Sequence, residues 1–66
     1  MNNQPDVSII IPAYNEGNII ASVIDGIQLM MERLDRTYEI LVINDGSTDD
    51  TPEKAQGAGA VVISHP

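Results

Sequence analysis

The sequence predicts an α/β fold: a three-stranded parallel sheet, order 3-2-1, with two helices on one face. Three observations carry that prediction. Short β-branched runs alternate with helical stretches in the order strand, helix, strand, helix, strand, which is half of a doubly wound domain. The strand runs are apolar or small on both faces, as parallel strands are. Two polar loops directly follow strands, where an open parallel sheet places its ligands.

Residues 7–11, Val-Ser-Ile-Ile-Ile, read as the first strand, closed by Pro12, with a polar loop over 13–17. From Asn18 to about Leu34, the residues Ile19, Ile20, Val23, Ile24, Ile27, Met30, Met31 and Leu34 recur at gaps of three and four. Such gaps put one apolar stripe on a helix, and the Met30-Met31 pair reads as core filling. Asp35, Arg36 and Thr37 turn the chain into a second strand over 39–43, and residues 44–50 form its exit loop.

Asn44-Asp45-Gly46 would also suit a hairpin turn. Against that, Thr51 followed by Pro52 looks like an N-cap with proline at the first helical position. Glu53 then suits the first turn of a helix. Gly57 and Gly59 close that helix as a C-cap would; a dinucleotide-binding fingerprint would follow a strand and open a helix instead. Residues 60–64 make the third strand, and His65 and Pro66 read as the loop after it, with no role for His65. Two right-handed crossovers in one direction place both helices on one face. The other face and the outer edge of the first strand are then left bare, and both are surfaces for homo-oligomer formation.

The 66 residues read as one partial domain, 1–66, without repeats or linkers. A core of this size rarely supplies more than about 3–5 kcal/mol without disulfides, a metal or a partner. Cysteine is absent and His65 is the single histidine, which removes disulfides and thiolate metal sites. Ten acidic residues against three basic ones give a formal charge of -7, so nucleic acid and anionic lipid are not expected partners. The start, residues 1–6, has no basic residue or apolar stretch of a signal peptide. No run reaches the ~20 apolar residues of a membrane span. A cytoplasmic location is expected.

The two loops carry the candidate chemistry. Tyr14 offers an aromatic face for a base, Glu16 can accept from ribose hydroxyls, and Asp45 can accept from the N–H edge of uracil or guanine. Each also has a plainer reading: Tyr14 as a cap on the sheet, Glu16 as a solvated acid near a helix start, Asp49 and Asp50 as acids that shape their loop. Such acidic loops are poorly suited to gripping phosphates without a cation.

Ile11-Pro12-Ala13-Tyr14-Asn15-Glu16, followed about thirty residues later by Ile43-Asn44-Asp45-Gly46-Ser47-Thr48-Asp49, resembles the opening of family 2 glycosyltransferases, and within them the dolichyl- or polyprenyl-phosphate sugar transferases. The likeness runs over nearly the whole chain from Val7. It implies the N-terminal half of a GT-A, Rossmann-like nucleotide-binding domain, a GDP- or UDP-hexose donor, inversion at the anomeric carbon, and Mg or Mn. By position, Pro12, Tyr14 and Glu16 match the first nucleoside-contacting segment and Asp45 the aspartate that reads the base. Asn44 stands where the family usually has the first of two aspartates. The Asp-x-Asp metal motif is expected after a fourth strand beyond Pro66, so no catalytic or metal residue is expected within 1–66. Asp49-Asp50 lacks that spacing and lies in another loop.

The expected function is therefore nucleotide-sugar binding within an inverting hexosyltransferase, with these residues inactive by themselves. The alternative is a stand-alone, non-catalytic nucleotide-binding or self-associating module. A nucleotidyltransferase ranks below both, because residues 12–17 hold one glycine and no lysine or arginine. A haloacid-dehalogenase-like phosphatase would need an aspartate at the position of Ile43. A calcium loop starting at Asp45 would need glycine where Asp50 stands.

Overall fold

The computed structural model describes residues 4–65. Met1 to Asn3, at the head of the segment read as free of targeting signals, and Pro66, read as loop, lie outside them. The elements are β1 (Val7–Ala13), α1 (Ile20–Leu34), β2 (Tyr38–Asp45), α2 (Thr51–Gly57) and β3 (Val61–His65). The strands form one parallel sheet in the order β1-β2-β3, which is the predicted 3-2-1 order read from the other edge.

Register decides which side chains meet the helices. Ile9 pairs with Ile40, Ile11 with Val42 and Ala13 with Asn44, and Val42 pairs with Val62. This set faces the helices. Ile24 of α1, Ala55 of α2 and Val42 are fully buried, and Ile20, Ile40, Ala13 and Ala60 complete the core. Alternation sends Ile10, Leu41, Ile43, Val61 and Ile63 to the opposite face. There Ile10 is 63% and Ile63 42% exposed. One face is covered and one is bare, as the crossover argument requires.

The helix stripe is narrower than its sequence pattern. Ile20, Ile24 and Met31 are buried, whereas Ile19, Val23, Met30 and Leu34 are exposed. Neighbours in a helix are about 100° apart, so Ile19/Ile20 and Met30/Met31 cannot both point at one sheet. The reading of Met30 as core is thus corrected, while Met31 keeps it. The first helix begins at Ile20 rather than Asn18, after a turn in which the Ile19 and Ile20 amides donate to Glu16 O, both at 2.9 Å.

Further boundaries move. β1 runs through Pro12 to Ala13 and β2 spans Tyr38–Asp45, so Pro12 does not close the first strand and Asn44 and Asp45 end the second instead of opening its exit loop. Asp50, not Thr51, occupies the N-cap position of α2, and its side chain makes no capping bond; the Thr51 hydroxyl is used elsewhere, as described below. The C-terminus of α2 closes at Gly59, φ +106°, where Gly59 N–H donates to Gln56 O at 3.0 Å and Ala60 N–H to Ala55 O at 3.1 Å. That is a Schellman pair around a left-handed residue. Gly57 stays inside the helix. His65 ends β3 opposite Asp45 instead of lying in a loop.

At the other end of the sheet, Asp35 adopts left-handed backbone, φ 52°, to stop α1. Thr37 then ties the chain entry: its Oγ1 accepts from Asp6 N–H at 2.8 Å and its carbonyl from Val7 N–H at 3.2 Å.

Candidate nucleoside-binding site

The register puts the two loops side by side. Ala13 and Asn44 are the last paired residues of β1 and β2, so Tyr14 and Asp45 each stand one residue beyond that pair, at the same rim of the sheet. Tyr14 is 58% exposed, Glu16 is half-buried and Asp45 is exposed. Pro12, also exposed, lies one residue before the pair, on β1 itself.

Asn44 differs from the other four candidates. It is 5% exposed, and both ends of its amide are engaged within the chain. Nδ2 donates to Ser64 Oγ at 3.2 Å, and Oδ1 accepts from Ser47 N–H at 3.1 Å. It braces β2 against β3 and bends the exit loop, which then turns at Gly46 with φ +75°. A short Asx side chain that accepts from a backbone N–H a few residues on is a standard way to initiate such a turn.

The loops are stapled together by bonds that sequence reading did not find. Three successive amides of the first loop all donate to side chains of the second loop or of the α2 residue that follows it: Asn15 to Ser47 Oγ at 2.9 Å, Glu16 to Thr51 Oγ1 at 2.9 Å and Gly17 to Asp49 Oδ2 at 3.0 Å. In return, Asn15 Oδ1 accepts from Thr48 N–H at 2.8 Å and from its hydroxyl at 3.3 Å. Asn15 does this from left-handed backbone, φ 51°, a conformation asparagine tolerates better than most residues. The available signal was the density of hydroxyl and carboxylate groups over residues 47–51, set against three consecutive loop amides with no helix or strand to serve.

Asp49 is the hub. Its Oδ1 accepts from the Thr51 hydroxyl and from Thr51 N–H, the latter at 3.0 Å, while Oδ2 serves Gly17. The Thr51 hydroxyl above all, then the amides of Thr51 and Gly17, hold the Asp49 carboxyl below its ordinary value of 3.8 against an opposing desolvation. Asp50 is not part of this set and pairs on the surface with Lys54 at 3.5 Å.

Among the described residues, no group of three His, Cys, Asp or Glu side chains is arranged to hold a metal ion. No helix among them is long and apolar enough to cross a membrane.

Residues 8–66 match the model of glycosyl transferase family 2. The chain belongs to glycosyltransferase family 2. This family 2 chain is 43% identical over 58 residues to the glucosyl-3-phosphoglycerate synthase of Mycolicibacterium paratuberculosis, covering 88% of itself and 17% of that protein. It is 39% identical over 59 residues to the undecaprenyl-phosphate 4-deoxy-4-formamido-L-arabinose transferase of Sodalis glossinidius, covering 89% of itself and 18% of the relative. The chain thus spans under a fifth of the length of these relatives. It superposes with a TM-score of 0.74 and 41% identity on the glucosyl-3-phosphoglycerate synthase of Mycobacterium tuberculosis solved with Mn2+, UDP-glucose and glycerol 3-phosphate, over 91% of this chain and 21% of that one. The same enzyme has been solved with Mg2+ and UDP. The three parallel strands and two helices are therefore part of a GT-A fold, and divalent cation with UDP is a feature of its solved relatives.

Proposed function

We propose that residues 1–66 are the nucleoside-recognition part of the catalytic domain of an inverting family 2 glycosyltransferase, and that they bind the uridine portion of a UDP-hexose. One observation carries this reading: Tyr14 and Glu16, on the loop after β1, share one rim of the sheet with Asp45 at the end of β2, and the loops that follow the two strands are bonded to each other. Tyr14 stacks on the base, Asp45 accepts from its N–H edge and Glu16 accepts from the ribose. Pro12 shapes the exit of β1 beside the base, and Asn44 acts through the loop that it braces. UDP is preferred to GDP because the solved relatives hold UDP.

The chain binds without transferring sugar. Transfer needs the diphosphate charge offset as it departs, and the described residues supply no trio suited to the cation. Mg2+ or Mn2+ would supply that charge on ligands outside this segment. Of acceptors, polyprenyl phosphate is the second reading, favoured by the undecaprenyl-phosphate transferase among the relatives; a small phosphorylated acid is the first. The location proposed is the cytoplasm. The bare face bearing Ile10, Ile43 and Ile63 favours self-association of the isolated chain.

NMR titration of the 66-residue chain tests the binding. UDP is expected to shift the amides of Tyr14, Glu16 and Asp45, and GDP to do so less. Unchanged spectra at millimolar UDP would overturn the reading, and sugar transfer by the chain alone would overturn the claim that it only binds.

A further inference from the structure

We propose that Asp49 and Thr51, assigned no contact with the nucleotide above, are positioning residues that fix the Tyr14–Glu16 loop relative to Asp45. The inference rests on the nucleoside reading of that rim, and its first test needs no nucleotide.

Asn15 is tied to Ser47 and Thr48, but on the far side of it the Glu16 and Gly17 amides are held to the second strand's exit by Thr51 and Asp49. Tyr14 and Asn15 are exposed, and neither they nor Glu16 belong to a helix or strand. The amides of Asn15, Glu16 and Gly17 reach across to three acceptors, Ser47 Oγ, Thr51 Oγ1 and Asp49 Oδ2, and two of the three belong to Asp49 and Thr51. The geometry forms a relay: the Glu16 amide donates to Thr51 Oγ1, the Thr51 hydroxyl donates to Asp49 Oδ1, and Asp49 Oδ2 accepts from the Gly17 amide. The threonine hydroxyl both accepts and donates, so neither a methyl nor a lone acceptor can replace it.

Thr51 is fully buried at the start of α2, which anchors the relay in the core rather than in solvent. The loops approach so closely that a Cβ at position 17 would run into Asp50 Oδ1 and lie 2.9 Å from Asp49 Oδ2, so a side chain there would push those carboxylates aside. Bonds between loops from different strands convert two flexible segments into one preorganised rim, and preorganisation is a direct contributor to affinity.

Amide hydrogen exchange and UDP titration on three variants of the 66-residue chain test the proposal. Thr51→Val keeps the volume and removes the hydroxyl. Thr51→Ser keeps the hydroxyl and removes a buried methyl. Asp49→Asn, at an exposed side chain, presents an amide N–H₂ to the Gly17 or Thr51 donors. In the wild type, the Glu16 and Gly17 amides are expected to be protected. Thr51→Val and Asp49→Asn should lose at least tenfold of that protection, while Val42 in β2 keeps its own. UDP affinity should fall at least fivefold in the same two variants and hold within twofold in Thr51→Ser.

A purely structural role would make affinity follow overall stability, with Thr51→Ser losing UDP binding along with its methyl; that outcome overturns the proposal. So do unprotected Glu16 and Gly17 amides in the wild type, or full UDP affinity in Asp49→Asn. If Thr51→Val does not fold, Asp49→Asn decides alone. Protected amides with no response to UDP would support the relay and overturn the nucleoside reading instead.

Discussion

Asn15 Oδ1 accepts from the backbone N–H of Thr48 at 2.8 Å across 33 residues of chain. The bond joins the loop bearing Tyr14 to the loop that leaves β2 just after Asp45, so the two candidate recognition side chains sit on one connected rim.

Replacing Asp45 by Ala, or Tyr14 by Ala, should weaken UDP binding without unfolding the chain, since both side chains are exposed. A hydrogen bond to a charged group is worth about 1.5–3 kcal/mol and a stacked base about 1–3 kcal/mol. Either change should therefore cost roughly tenfold in Kd by titration calorimetry. Affinity unchanged in both variants would remove the base pocket from this rim.

Uridine should bind about as tightly as UDP when no divalent cation is present. Glu16, Asp45, Asp49 and Asp50 surround the site with negative charge, and like charges repel a diphosphate. Competition experiments in chelator check this, and a strong preference for UDP under those conditions would mean that the rim holds phosphate.

The core should answer to small changes. Ile24 is fully buried against the sheet, and Ile→Val in a core costs about 0.5–1.5 kcal/mol. In a domain with about 3–5 kcal/mol in hand, Ile24→Val should lower the urea midpoint visibly, while Met30→Ala, on the exposed side of the same helix, should leave it nearly unchanged.

Two glycines should respond in opposite directions to alanine. Gly26 lies mid-helix with nothing within 4 Å of an added Cβ, so Gly26→Ala should raise stability by about 0.5–1 kcal/mol. Gly59 holds φ +106° with Gln28 Nε2 3.0 Å from an added Cβ, and left-handed backbone costs other residues about 1–2 kcal/mol. Thermal melts of the two variants should therefore move apart.

Acid should loosen the rim at a definite point. The Asp49 pKa is lowered on folding, so its bonds are complete above the ordinary 3.8 and are lost as pH falls through the folded value. Glu16 and Asp50 flank the site and Lys54 pairs with Asp50. The Gly17 amide shift should thus make its main movement at acid pH, below the ordinary carboxylate value; a main movement near pH 6 would contradict the assigned donor set.

Much of this was legible in the sequence, for identifiable reasons. Residues 7–11 and 39–43 carry β-branched side chains on both faces, and a strand is all they can be. Thr51-Pro52 and the helical stretch after it argue against the hairpin that Asn44-Asp45-Gly46 would otherwise suit. The exposure of Met30 was not legible, because gaps of three and four also describe a stripe wider than a small sheet can cover. Nor were the inter-loop bonds. They join residues more than thirty apart, through two hydroxyls, a carboxylate and the Asn15 amide oxygen, whose partners are backbone amides that no single residue type singles out. Asn44 taught the same lesson: a polar residue at a strand exit can be spent on the sheet itself.

β1 is gripped at both ends, by Thr37 at its start and by Ser47, Asp49 and Thr51 past its finish. Sliding it along β2 by two residues, the smallest shift that keeps its faces inward, would break both grips at once. The geometry of the rim is therefore inherited from strand alignment, and the outer surface of α1 can drift in composition without disturbing it.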